Sequence, residues 1–310
     1  MILKQIIELF DLLDNPAIDG IKVRTFFEKR GLEDIKVERV KGAKGYTDFI
    51  KITIPGTQGK TEGGQAPTLG IVGRLGGIGA RPSRMGFVSD GDGALAALSV
   101  ALKLAEMKNN NERLLGDVII ATHICPNAPI KEHYPVPFMD SPVDMETMNK
   151  LEVSEEMDAI LSIDTTKGNN VINYKGFAIS PTVKEGYILR TSEDLLRIMS
   201  ATTGKLPVAF PLTQQDITPY GNGLYHINSI LQPSVATKSP VVGVAITTET
   251  PVGGCYTGAT HFIDIENAAR FSLEVAKEYS NNNCSFYDKG EYARIIKLYG
   301  SLNRFQTHGN

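Results

Sequence analysis

The stretch Leu69-Gly70-Ile71-Val72-Gly73 runs into the Gly-rich basic loop Arg74-Leu75-Gly76-Gly77-Ile78-Gly79-Ala80-Arg81-Pro82-Ser83-Arg84. The acidic turn Ser89-Asp90-Gly91-Asp92-Gly93 follows and opens a helical pattern from Ala94 to Met107. A second apolar run, Asp117 to Thr122, ends at His123-Ile124-Cys125-Pro126. Short apolar runs bounded by turn residues read as buried strands, and the longer periodic run reads as a helix. The segment is therefore strand, polar loop, helix, strand, polar loop. Its chemistry-bearing side chains sit where the strands end, the usual place for a site in an open α/β sheet.

The pattern extends in both directions. Ile2, Ile6, Ile7, Phe10 and Leu13 keep helical spacing, and a second helix is expected over Ile21–Arg30. Ile35–Val40 and Asp48–Ile54 alternate as half-buried strands. Further on, a helix is expected over Val143–Leu151 and a strand over Ala159–Asp164. Shorter strands are read at Val171–Tyr174 and Ile188–Arg190. Ser192 opens a helix running to Thr203, Pro207–Phe210 and Val241–Ile246 are read as buried strands, and helices follow over Asp264–Tyr279 and Glu291–Tyr299. Strands alternating with helices predict an α/β fold: a mostly parallel mixed sheet flanked by helices on both faces. No linker-like segment interrupts it, so residues 1–310 are expected to form one domain, with residues 1–55 packed on the core.

The chain has 310 residues, 42% hydrophobic and 22% charged, with a net charge of −3. That balance offers no basic field for nucleic acid and no polybasic membrane patch. No window reaches the ~18–20 apolar residues of a membrane span. The start of the chain carries Glu8, Asp11 and Asp14 and does not read as a secretory signal. The three cysteines, Cys125, Cys255 and Cys284, form no paired framework, which fits reduced thiols in the cytoplasm.

Asp90 and Asp92 frame a glycine ahead of a helix, where capping is the ordinary role of aspartate. Their company suggests more. Asp164 ends an apolar strand, His123 ends another, and His261 precedes the helix beginning near Asp264. Carboxylates and imidazoles from several strand ends would make a nitrogen/oxygen site suited to zinc, manganese or cobalt. Arg74, Arg81 and Arg84 in a glycine-rich loop would clamp a substrate carboxylate. Cys125 and Cys255 offer thiol chemistry, as in cofactor-independent racemases. Glu185 and Glu249 are spare acid/base candidates, and Asn222, His226 and Asn228 are polar groups available to a ligand.

The order of these pieces resembles the zinc-exopeptidase clan, particularly its self-compartmentalising tetrahedral aminopeptidases. Ser89-Asp90-Gly-Asp92-Gly-Ala is similar to that clan's bridging-aspartate junction. Asp158-Ala-Ile-Leu-Ser-Ile-Asp164-Thr-Thr is similar to its carboxylate strand, and His261 ahead of Asp264-Ile-Glu-Asn-Ala268 to its terminal histidine and helix. The resemblance implies a phosphorylase/hydrolase-like core and a divalent metal, zinc or manganese, held by Asp90, Asp164 and His261; in a rearranged site Asp92 and His123 would be added as candidate ligands. It also implies hydrolysis of an amide or small peptide-like substrate and a homo-oligomer. On the reading of the residues themselves, the arginines would orient a substrate carboxylate, His123 or Glu249 would serve as acid or base, and Cys125 and Cys255 would carry the racemase alternative. Two departures stand out. Arg74-Leu75-Gly76 replaces the clan's His-x-Asp, and His123-Ile-Cys125-Pro126 falls where its Glu-Glu belongs. The expected alternatives are an exopeptidase-like binding protein without activity and a metal-free two-cysteine racemase. Over nearly its full length the chain also resembles a bacterial family known as a conserved domain of unknown function, through GRLGGIGARP, FVSDGDGA, THICPNAP, SIDTTKGN and DITPYGNGLYH.

Overall fold

Apolar runs and amphipathic stripes settle in the computed structural model, which describes residues 1–309, as one central sheet with a helical layer against it. In chain order the elements are α1 (Leu3–Leu13), α2 (Gly20–Glu28), β1 (Ile35–Gly42), β2 (Gly45–Ile54), β3 (Leu69–Gly73), α3 (Asp92–Asn109) and β4 (Val118–Ile124). Then come β5 (Ile130–Lys131), β6 (Phe138–Met139), α4 (Met145–Glu152), β7 (Ala159–Thr165), β8 (Gly176–Ile179), β9 (Val183–Lys184) and β10 (Tyr187–Ile188). The remaining elements are α5 (Glu193–Thr203), β11 (Val241–Thr247), α6 (Phe262–Ser280) and α7 (Lys289–Tyr299).

The sheet order is β1-β2-β4-β3-β7-β11-β9-β10, with β8 also pairing β11. Strands β4, β3, β7 and β11 are parallel to one another, and β1, β2, β8 and β9 extend the sheet in antiparallel pairings. The mixed, largely parallel α/β sheet expected from the sequence is what forms. β3, β4, β7 and β11 are buried along their lengths, as strands covered on both faces must be.

The two faces are covered differently. Leu69, Ile71, Ile120, Leu161, Ile163, Val242 and Val244 pack with α1, α2, α3, α5 and α6 in the main core. The opposite face carries Val72, Ile119, Ala121, Ile160 and Ala245, packed against irregular chain around Phe210, Ile217, Ile230 and Leu231. Of the helices, α4 alone covers part of that face, through Met148 against Phe49. The even two-sided helical cover read from the sequence is thus corrected: short 3-10 turns at Gln215–Ile217 and Gln232–Ala236 take the place of a second helical layer.

Two short strands are also corrected. Val171–Tyr174 is not a strand, because the Asn169 side chain accepts from the Val171 and Ile172 backbone N–H groups and bends the chain into a turn. The strand lies just beyond it, as β8. Pro207–Phe210 makes a single bridge, Ala209 to Ile179, in place of a strand.

Candidate functional site

Strand alternation places the chemistry before any loop does. On β3 the residues facing the thinly covered side are Gly70, Val72 and then Arg74. On β4 they are Ile119, Ala121 and His123, and on β7 Ile160, Ser162 and Asp164. The parallel register pairs Val72 with Ala121 and with Ser162, and the Arg74 N–H continues the ladder to the Ile163 carbonyl at 2.6 Å. One step further along, Phe49, His123, Arg74, Asp164 and Ala245 therefore form a single row across five strands. The row crosses the C-terminal edge of the parallel strands at the gap between β3 and β7. There the connections diverge: β3 leads through α3 to β4 on one side, and β4 leads through α4 to β7 on the other. Open α/β sheets bind ligands at such a switch point.

The N-terminus of α3 closes against this gap. A Cβ on Gly93 would lie 2.1 Å from the Arg74 carbonyl oxygen and 2.5 Å from that of Ile163, so only glycine permits the approach. The approach carries Asp90 and Asp92 to the rim. Asp92 makes no cap bond to its own helix. Its buried carboxylate lies 3.3 Å from Lys167 Nζ and accepts from Thr260 Oγ1 at 3.0 Å. Lys167 also donates to the Ala259 carbonyl at 3.0 Å. The Asp90 backbone N–H donates to the Gly254 carbonyl at 2.8 Å, and Gly254 is packed so closely on the Asp90 side chain that a Cβ would meet Oδ1 at 1.9 Å. Asp164 accepts from Ser229 Oγ at 2.7 Å.

Three acids crowded into low dielectric resist ionisation. Burial, then the charges of Asp164 and Asp92, pushes Asp90 up to about 7. Burial pushes Asp92 up to about 7 against the opposing pull of Lys167 and Thr260. Burial raises Asp164 to about 6, held back by the Ser229 hydrogen bond and the Arg74 charge. Carboxyl groups that exchange protons near neutrality are the raw material of acid–base catalysis.

The expected metal set does not assemble. Among the described residues no group of three His, Cys, Asp or Glu side chains could hold a metal ion. His123 has both ring nitrogens engaged: Gly76 N–H donates to Nε2 at 3.1 Å, and Nδ1 lies 2.7 Å from Glu152 Oε1. His261 is exposed at the position preceding α6, where its charge acts on Asp264. The residues present do not fit the metal centre implied by the exopeptidase resemblance, although the charges of Asp164 and Asp92 both reach Asp90.

The arginines do not converge into an anion clamp. Arg74 is fully buried with Nε 2.7 Å from Glu152 Oε2. Arg81 donates to the Asp14 carbonyl at 2.6 Å and to Pro126, and exposed Arg84 lies over the Tyr256 ring. Cys125 and Cys255 do share one small apolar cluster with Ala80, Val88 and Met139. Burial pushes the Cys125 thiol up to about 11 and raises Cys255, with the Asp90 charge adding to the latter. Buried thiols of this kind fill space and are poor nucleophiles.

Glu249 is exposed, and Glu185 is tied to Lys184 and the Tyr292 hydroxyl. Asn222 donates to Thr218 Oγ1 at 2.8 Å, His226 packs edge-on against Tyr220 and bonds Thr218, and Asn228 accepts from Ile230 N–H. These three side chains hold a turn that sets Tyr220 near the Asp164 and Arg74 charges. An open cleft of about 600 Å³ lies elsewhere, between the first turns of α5 and α7, and none of the expected site residues lines it.

Lys167, Glu152, Asn149, Ser229 and Tyr220 are members of the site that sequence reading did not single out. Lys167 stood inside the quoted SIDTTKGN, three residues after Asp164, and Tyr220 inside the quoted DITPYGNGLYH; Glu152, Asn149 and Ser229 carried no signal. No curated protein matches the chain. A family model matches residues 38–309. The chain therefore belongs to the family described as "Protein of unknown function (DUF1177)".

Proposed function

We propose that this protein is an enzyme acting on a small polar substrate by acid–base chemistry at the switch point, with Asp90 and Asp164 as the working pair. The observation that carries the reading is the meeting of these two carboxyl groups. They come from the β3–α3 junction and the end of β7, sit within reach of each other's charge, and are both poised close to neutral pH. A pair in which one member is ionised and the other protonated can remove a proton from water and deliver one to a leaving group. Hydrolysis of an amide, the reaction implied by the exopeptidase resemblance, needs those two transfers. Lys167, neutralising Asp92 beside them, lets three acids share the rim. The reading requires no step through a metal.

The test is turnover of a panel of small amides and dipeptides by chelator-treated protein, compared with Asp90→Asn and Asp164→Asn. Each variant is expected to lose roughly 10²–10⁴-fold in rate, the usual range for a proton-transfer group. Activity in the treated protein should persist. Activity that disappears with chelation and returns with zinc or manganese would overturn the reading, as would an unimpaired Asn variant.

A further inference from the structure

Beneath the rim lies a set of buried charges that the proposed reaction does not itself use. A guanidinium with no solvent must find acceptors inside the protein for its donors. For Arg74 they all come from α4. Nε lies 2.7 Å from Glu152 Oε2, off the hydrogen-bonding line, so that contact is an attraction of charges. Nη1 meets Met145 Sδ at 2.7 Å, and Nη2 donates to Asn149 Oδ1. Met145, Asn149 and Glu152 follow the helical spacing that presents one face.

The other carboxylate oxygen of Glu152 reaches His123. Because His123 Nε2 accepts from Gly76 N–H, its proton belongs on Nδ1, and the imidazole donates to Glu152. Glu152 is thereby kept an acceptor and the counter-charge of Arg74. On the far side of Arg74 in the same cross-strand row stands Asp164. The charged and titratable groups acting on Asp164 are Arg74, Glu152, Asp90 and the Tyr220 phenol. Arg74 is the cation among them. Asp90, by contrast, is flanked by Asp164 and Asp92, and Lys167 is already bonded to Asp92.

From this geometry we propose that Arg74 is a positioning residue. Clamped by α4, its guanidinium acts with the Ser229 hydroxyl, which donates to Asp164 at 2.7 Å, to hold Asp164 as the ionised member of the pair, and so makes Asp164 the base and Asp90 the acid. The assignment of base and acid rests on the acid–base reading above; the electrostatic action of Arg74 on Asp164 does not. A helix that covers the sheet thus also decides the direction of proton flow at its edge. The loss of the sequence-expected arginine clamp has the same cause, since this guanidinium is committed to Met145, Asn149 and Glu152 of α4 and is fully buried away from a substrate.

The test is a carbon-13 carboxyl NMR titration of the full chain, which needs no substrate, in wild type, Arg74→Met, Arg74→Lys and Glu152→Gln, with circular dichroism to check the fold. In Arg74→Met the Asp164 midpoint is expected to rise by one pH unit or more, and Arg74→Lys should restore part of that shift. In Glu152→Gln the midpoint should fall, because Asp164 loses an anionic neighbour and gains a less engaged guanidinium. A merely structural Arg74 would lower thermal stability in these variants without moving Asp164. An unmoved or lowered midpoint in folded Arg74→Met overturns the proposal. If that variant does not fold, an unmoved or raised midpoint in Glu152→Gln does so. Failure of the amide panel with these shifts intact would instead count against the acid–base reading alone.

Discussion

Replacing Asp90 with asparagine should stabilise the protein increasingly as the pH rises from about 4 to about 7. The folded chain holds Asp90 at about 7 against the ordinary 3.8 of an aspartate. Between about pH 4 and pH 7 the native state therefore keeps a proton that the unfolded chain has released. Stability falls across that window as pH rises, and the loss is complete above about 7. A difference of about 3 pH units at 1.36 kcal/mol each is roughly 4 kcal/mol, an upper bound because local relaxation softens the charge. Asparagine is close in shape to the protonated acid and cannot ionise. Asp90→Asn should thus gain no more than about 1.6 kcal/mol near pH 5 and up to about 4 kcal/mol near pH 8. Urea unfolding at both pH values measures this directly, with an unchanged slope to confirm that the same surface is exposed. A variant equally stable at both pH values relative to wild type, or destabilised near pH 8, would refute the claim that burial and two neighbouring acids strain this carboxylate. A stabilising substitution at the residue that also abolishes turnover would show the usual conflict between an active site and stability.

Other consequences follow from the same coordinates. The three free cysteines are buried, with Cys125 near 11 and Cys284 near 12, so a disulfide reagent at mildly alkaline pH should modify none of them in the folded chain and all of them in concentrated guanidinium; rapid labelling of native Cys125 would contradict this. Gly93→Ala drives a methyl group into the Arg74 and Ile163 carbonyls and should cost about 1–3 kcal/mol in unfolding free energy, whereas a neutral result would mean that α3 does not sit as described.

The strand–loop–helix–strand reading of residues 69–126 was legible because each piece carries its own periodicity. β3, α3 and β4 fall where the apolar pattern puts them. The placing of Asp90 and Asp164 at one edge of the sheet was legible for a related reason: residues at strand ends and helix starts of a parallel sheet share that edge whatever the details of packing. Much of the second face was not legible. The cover between Asn169 and Leu231 is built from Asx turns, single bridges and 3-10 turns, which have no long period to read.

Sequence alone determined that chemistry-bearing side chains gather at one edge of an α/β sheet, since alternation and strand polarity are local properties of the chain. Only the tertiary structure decided what those side chains do. Arg74 reads as a loop arginine free to bind an anion, and His123 as a free imidazole, until α4 brings Glu152 across 78 and 29 residues of chain to bond both. Burial then makes the choice irreversible: a guanidinium and an imidazole without water must satisfy themselves on the nearest carboxylate. Which carboxylate is nearest depends on strand register and on the face that a short helix covers, and no local pattern encodes either.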